Sequence, residues 1–160
     1  MNKNQKRGIL IVIILTIGIF SYFSFTDDST VEIESIEGGS EKILAGNSSK
    51  YIEFNQMDYE NSISENKIIL LYFYASWCPI CMAEQQETFA AFNELENDKV
   101  IGFRVNYKDS ATDKDEENIA EEFGIPYQHT KVIVHNGKQV LKSLEQWNKE
   151  RYLEELNKFS

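Results

Sequence analysis

The stretch IILLYFYA, residues 68–75, is apolar or aromatic at every position. A half-exposed strand alternates, so eight such residues in a row mark a strand covered on both faces, central in a sheet with helices above and below. Directly after it comes SWCPIC, residues 76–81, which holds Cys78 and Cys81, the only two cysteines of the 160-residue chain. A buried strand running straight into both cysteines places the chemistry at that strand's C-terminal end.

The flanking pattern builds an α/β domain around this strand. A globular pattern starts at YIEF (51–54), and QMDYENSISENK fits a short helix. The CPIC segment opens a helix running to about Glu96, with Met82, Phe89, Phe92 and Leu95 recurring near helical spacing, and VIGFRVNY (100–107) follows as a strand. Strand, helix, strand in that order makes a right-handed parallel unit. After an acidic loop come a helix around 116–123, the strand KVIVH (131–135), and an Asn136-Gly137 turn of type I′ into KQVLK. A last helix, about residues 145–158, is expected to turn Trp147, Leu153 and Leu156 inward.

The N-terminus suggests where this domain lives. Residues 1–8 carry Lys3, Lys6 and Arg7, and ILIVIILTIGIFSYFSF (9–25) is an uncharged run just long enough to span a hydrocarbon core. It ends in bulky aromatics rather than the small residues of a cleavage site, so residues 1–25 are expected to be a retained signal anchor with its basic flank inside. Residues 26–49, rich in Asp, Glu, Ser and Gly, read as a flexible acidic stalk, and residues 50–160 as the single domain, outside the cytoplasm. The formal net charge is −10, and with three cations before residue 9 the part beyond the apolar run carries −13. That balance argues against nucleic acid and against adhesion to anionic lipid.

Three readings fit two cysteines at i and i+3. A closed zinc site needs four ligands, and only His129 and His135, far downstream, add to the two thiols. A structural disulfide over two intervening residues constrains the unfolded chain very little. A redox couple fits best. At the start of a helix the two side chains project to one side with Cα atoms about 5 Å apart, within disulfide range. Cys78, at the helix N-terminus, meets free N–H groups and the positive dipole end that favour a thiolate, whereas Cys81 lies one turn deeper as the resolving thiol. Pro79 stiffens the turn while giving up only an N–H the helix does not use.

The order of elements, with FYASWCPIC, FGI (123–125) and VIVHNGK, resembles the thioredoxin family over roughly residues 50–158. The resemblance implies a thioredoxin-like fold, a central mixed sheet flanked by helices, here preceded by one N-terminal transmembrane helix. It also implies Cys78 as attacking cysteine, Cys81 as resolving cysteine, and Trp77 as a partly exposed aromatic where substrate docks. Three positions depart from the family pattern. The buried acid of many members falls on Tyr72, which would leave Cys81 without a nearby carboxylate base, although Glu84 follows in the helix. Gln86 replaces a helix proline. The family's cis-proline opposite the sulfurs falls on His129, beside Thr130 in PYQHT. A cis bond before a non-proline residue costs about 3 kcal/mol, so that bond is expected to be trans, with altered pairing to substrate. His129 then has three open roles: redox tuner of Cys78, loop-packing residue, or third ligand of a Cys78–Cys81–His129 Cu(I) site.

The expected activity is thiol–disulfide exchange on extracytoplasmic protein thiols and disulfides, with a further redox partner to reset the couple. No cofactor is expected beyond the Cys78–Cys81 disulfide itself. The anchored single-domain layout resembles bacterial reductases that serve cytochrome maturation, whereas CPIC with a histidine opposite favours an oxidant; reduction is the expected direction. The alternative is a copper-handling protein on the same fold.

Overall fold

The computed structural model describes residues 41–159, so the expected anchor of residues 1–25 and most of the expected stalk lie outside the described residues. Among the described residues no helix is long and apolar enough to cross a membrane. The elements are β1 (Ile43–Ala45), β2 (Lys50–Glu53), α1 (Gln56–Ser64), β3 (Ile68–Tyr74), α2 (Pro79–Glu94), β4 (Val100–Asn106), α3 (Lys114–Glu122), β5 (Thr130–His135), β6 (Lys138–Ser143) and α4 (Lys149–Asn157).

These strands form one mixed sheet in the order β1-β2-β4-β3-β5-β6. β3 lies between β4, parallel with Leu71 beside Phe103, and β5, antiparallel with Leu71 beside Val132. All seven of its residues are buried, as the unbroken apolar run requires. Leu70, Tyr72 and Tyr74 join Phe92, Trp147, Tyr152 and Leu156 in one core layer. Ile69, Leu71 and Phe73 join Phe103, Val105, Ile119 and Ile125 in the other. Full burial of a large apolar side chain contributes roughly 1.5–3 kcal/mol over leaving it exposed, so the strand that carries the site is anchored from both sides. α2 can lie close to the sheet because residue 102 has no side chain. A Cβ there would stand 2.5 Å from Phe92 Cζ and 2.7 Å from Tyr51 Cδ2. The hairpin turn is as its sequence predicts, with φ of 53° at Asn136 and 67° at Gly137.

Three expectations shift. The ordered domain begins before residue 50: β1 pairs antiparallel with β2, and the buried Ser49 hydroxyl donates to the Asn97 carbonyl at 2.6 Å. A three-residue strand is too short to show a period. Met82 is 46% exposed, because α2 turns Cys81, Glu84, Thr88, Ala91 and Phe92 inward instead. α4 starts only at Lys149, where the Asn148 side chain caps the Arg151 N–H at 3.0 Å. Trp147 is buried in the preceding loop, and Leu153 is only partly buried.

α3 supplies a pH-sensitive element. Its capping box pairs Asp113 with Glu116, and the buried Glu116 carboxylate also accepts the Asn106 N–H at 2.7 Å. Burial nevertheless raises Glu116 from 4.5 to about 7. A carboxyl raised in the folded state makes that state bind the extra proton between those two values, so stability falls as pH rises through the window. The expected loss between about pH 4.5 and pH 7.5 is about 1–3 kcal/mol. Urea unfolding across pH should show it, and Glu116→Gln should flatten the slope.

Candidate active site

The end of β3 delivers the chain into a turn that α2 continues. Cys78 is the N-cap of α2, Pro79 occupies its first position, and the Cys78 sulfur accepts the Cys81 N–H at 3.2 Å. The Cα atoms of Cys78 and Cys81 are 5.2 Å apart and the sulfurs are joined as a disulfide. Cys81 is fully buried and Cys78 retains 6% exposure, so an incoming sulfur reaches Cys78 first. The turn is pinned from the β4–α3 loop. The Ser76 N–H donates to the Asp109 carboxylate, and the Ser76 hydroxyl together with that N–H holds Asp109 down at about 2. Trp77, 56% exposed, donates through Nε1 to the Lys108 carbonyl at 3.0 Å, which fixes the ring at the rim of the site.

Across from the dithiol stands the loop before β5. There is no cis peptide bond among the described residues, and His129 adopts a left-handed φ of 74°. Its N–H donates to the Phe73 carbonyl at 2.6 Å, and its ring meets Tyr72 edge-on at 6.5 Å between centroids. Thr130 is fully buried, and its hydroxyl donates to the Tyr127 carbonyl at 2.8 Å. His135 is half-buried against Phe159, 5.6 Å between ring centroids, away from the cysteines on the far end of β5.

Tyr72 and Glu84, the two residues that the sequence sets against the family's buried acid, both lie inside the domain. Tyr72 does occupy the buried position, its hydroxyl donating to the Cys81 carbonyl at 3.4 Å. The acid comes from α2 instead, where Glu84, one turn beyond Cys81, is fully buried. Its Oε1 lies 2.9 Å from Lys131 Nζ and accepts the Trp147 N–H at 2.9 Å and the Tyr152 hydroxyl at 2.8 Å. Its Oε2 faces His129 Nδ1 at 2.9 Å. Burial pushes the Glu84 carboxyl up, but His129, Lys131 and the Trp147 N–H together outweigh it and leave the carboxyl below its ordinary value. Burial is the largest influence on Lys131 and holds its ammonium below the usual lysine range, against the pull of Glu84.

Lys131 is the residue sequence reasoning missed. It sits in β5 among valines and isoleucine, fully buried, with Nζ 3.2 Å from the His129 carbonyl and over the rings of Tyr72 at 5.6 Å and Trp147 at 5.5 Å. The available signal was a cation at an inward strand position, which calls for a buried acid. Among the described residues no group of three His, Cys, Asp or Glu could hold a metal ion, so the Cys78–Cys81–His129 copper reading gains no support.

The family model described as Thioredoxin matches residues 50–158. The chain belongs to the thioredoxin family. Solved structures with the same fold include Trxlp from Edwardsiella tarda, at 20% identity and TM-score 0.55, covering 65% of this chain and 95% of that one. Thioredoxin from Aeropyrum pernix matches at 14% identity and TM-score 0.55, over 75% of this chain and 95% of its own. Schistosoma mansoni thioredoxin matches at 21% identity and TM-score 0.54, over 72% of this chain and 100% of its own. No curated protein matches the chain. A thioredoxin domain with a C-x-x-C disulfide at a helix N-terminus is a thiol–disulfide oxidoreductase.

Proposed function

We propose that this thioredoxin-family chain is a membrane-anchored thiol–disulfide oxidoreductase that reduces protein disulfides outside the cytoplasm. The observation that carries the redox part is the pairing of Cys78 as N-cap with Cys81 one turn inside the same helix. In the reduced protein the Cys78 thiolate, supported by the Cys81 N–H and the helix dipole, attacks one sulfur of a client disulfide. A Cys78–client disulfide forms, and the other client sulfur leaves as a thiolate. Cys81 then attacks the Cys78 sulfur, expels the second client sulfur and closes the intramolecular disulfide. Two electrons pass from the dithiol to the client. Trp77, exposed beside the attacking sulfur, is the surface on which a client segment rests.

The cellular part rests on the basic flank and apolar run of residues 1–25 and on the acidic balance beyond them. Reduction in an oxidising compartment also requires a partner that returns electrons to CPIC. The test is Cys81→Ser in intact cells, which should accumulate mixed disulfides through Cys78 with proteins of the outer face. Capture of no client from membranes would reject dithiol exchange on proteins as the function. Equilibration of the couple with glutathione sets the direction: a low, thioredoxin-like potential supports reduction, whereas a high one makes the chain a disulfide donor.

A further inference from the structure

We propose that His129 is the proton acceptor for Cys81 when the mixed disulfide is resolved, and that Glu84, itself held by Lys131, fixes the imidazole in the tautomer whose Nε2 is free. This deepens the oxidoreductase reading and rests on it.

The argument begins with two buried atoms that have no other relief. His129 Nδ1 and Glu84 Oε2 are 2.9 Å apart, and neither makes a hydrogen bond to any other described group, the ring N–H lying off the line to the oxygen. An unmet buried polar atom costs about 1–3 kcal/mol, so each is the partner the other needs. An ionised carboxylate has no hydrogen to give, so a neutral imidazole here carries its hydrogen on Nδ1 and leaves the Nε2 lone pair free. Lys131 makes this arrangement one-directional. With its ammonium at 2.9 Å from Oε1, the carboxylate stays ionised and cannot turn donor toward the ring. Oε1 is further occupied by the Trp147 N–H and the Tyr152 hydroxyl, so Glu84 is a poor proton acceptor itself.

Position is set by three ties. The His129 backbone is bound to Phe73 at the end of β3, its ring rests on Tyr72, whose hydroxyl reaches the Cys81 carbonyl, and its Nδ1 faces Glu84, one turn past Cys81. Together they hold the imidazole against Glu84, one turn beyond Cys81 on the helix that the disulfide opens. The left-handed φ of 74° at a residue with a side chain is a local strain of the kind that gathers at functional positions. The charged and titratable groups around the ring are Glu84 on α2, Tyr72 on β3, Lys131 on β5 and, across Glu84, Tyr152 on α4, and the Cys78–Cys81 disulfide opens the helix that carries Glu84.

In the resolving step the Cys81 S–H passes its proton to Nε2 while the Cys81 sulfur attacks the Cys78 sulfur. The Cys78–client bond breaks, and the departing client thiolate takes the proton back from the imidazolium. Glu84 and Lys131 touch no reacting atom; they are positioning residues.

The experiment uses the full chain. Nitrogen-15 NMR of the oxidised wild type should show the His129 hydrogen on Nδ1, and Glu84→Gln, whose amide can donate to the ring, should move it to Nε2. Insulin reduction driven by dithiothreitol should fall at least about 10-fold near pH 7 in His129→Gln and Glu84→Gln. The deficit should close toward about pH 9.5, where a thiol ionises unaided. A hydrogen on Nε2 in the wild type overturns the proposal without any variant. So does a wild type that turns over alongside variants whose deficit is absent or constant with pH. A wild type that exchanges no disulfides rejects the oxidoreductase reading, and the proposal falls with it.

Discussion

Replacing Lys131 by methionine should lower the unfolding free energy of the oxidised chain by about 3–5 kcal/mol, the loss typical of removing one partner from a buried ion pair. The ammonium is fully buried, 2.9 Å from Glu84 and 3.2 Å from the His129 carbonyl, and also donates to the Glu145 carbonyl. Methionine fills the space between Tyr72 and Trp147 but leaves the Glu84 carboxylate without an ammonium partner, beside His129, the Trp147 N–H and the Tyr152 hydroxyl. In the wild type Glu84 sits below its ordinary value, so it adds stability above about pH 4.5 that is lost as pH falls through the folded value. Without Lys131 the carboxyl rises, the folded state holds its proton longer, and the sign reverses. The deficit of Lys131→Met should therefore be larger at about pH 7 than at about pH 4. Adding Glu84→Gln should recover much of the loss, and urea unfolding of the four members of the cycle measures the coupling. A deficit below about 1 kcal/mol at neutral pH would mean that the charge is not confined as the structure has it.

Cys78→Ser should reduce disulfide-exchange turnover to the uncatalysed background, a loss of at least about 10³-fold, while leaving the domain folded. The disulfide it removes closes a loop so short that its entropic stabilisation is at most about 2 kcal/mol. The Cys78 side chain contributes a single cap contact to the Cys81 N–H, which a serine hydroxyl can replace. Insulin reduction and far-ultraviolet circular dichroism of the same preparation separate the two effects. Residual turnover near the wild-type level would place the chemistry on another residue.

Most of the frame is legible because the strongest signals are local. The apolar run of β3, the N-cap cysteine followed by proline and the Asn136-Gly137 turn each carry their own physics within a few residues, and each lands where the sequence puts it. What the sequence hides is assembled from far apart. Glu84 and Lys131 are separated by 47 positions, and their meeting depends on which turn of α2 faces the sheet, as the outward Met82 shows. Spacing alone also left His129 between three roles. Its Glu84 contact, which bears on that choice, comes from a different element.

The backbone of His129 has a consequence for which proteins can be served. Its N–H is given to Phe73 and its carbonyl already accepts from Lys131, so a visiting chain finds no donor open for an added β-bridge at that residue. Grip passes to what protrudes beside Cys78 in the chain, namely Trp77 and Ile80, both exposed. A site held mainly by such side chains discriminates by what flanks a cysteine rather than accepting any extended segment.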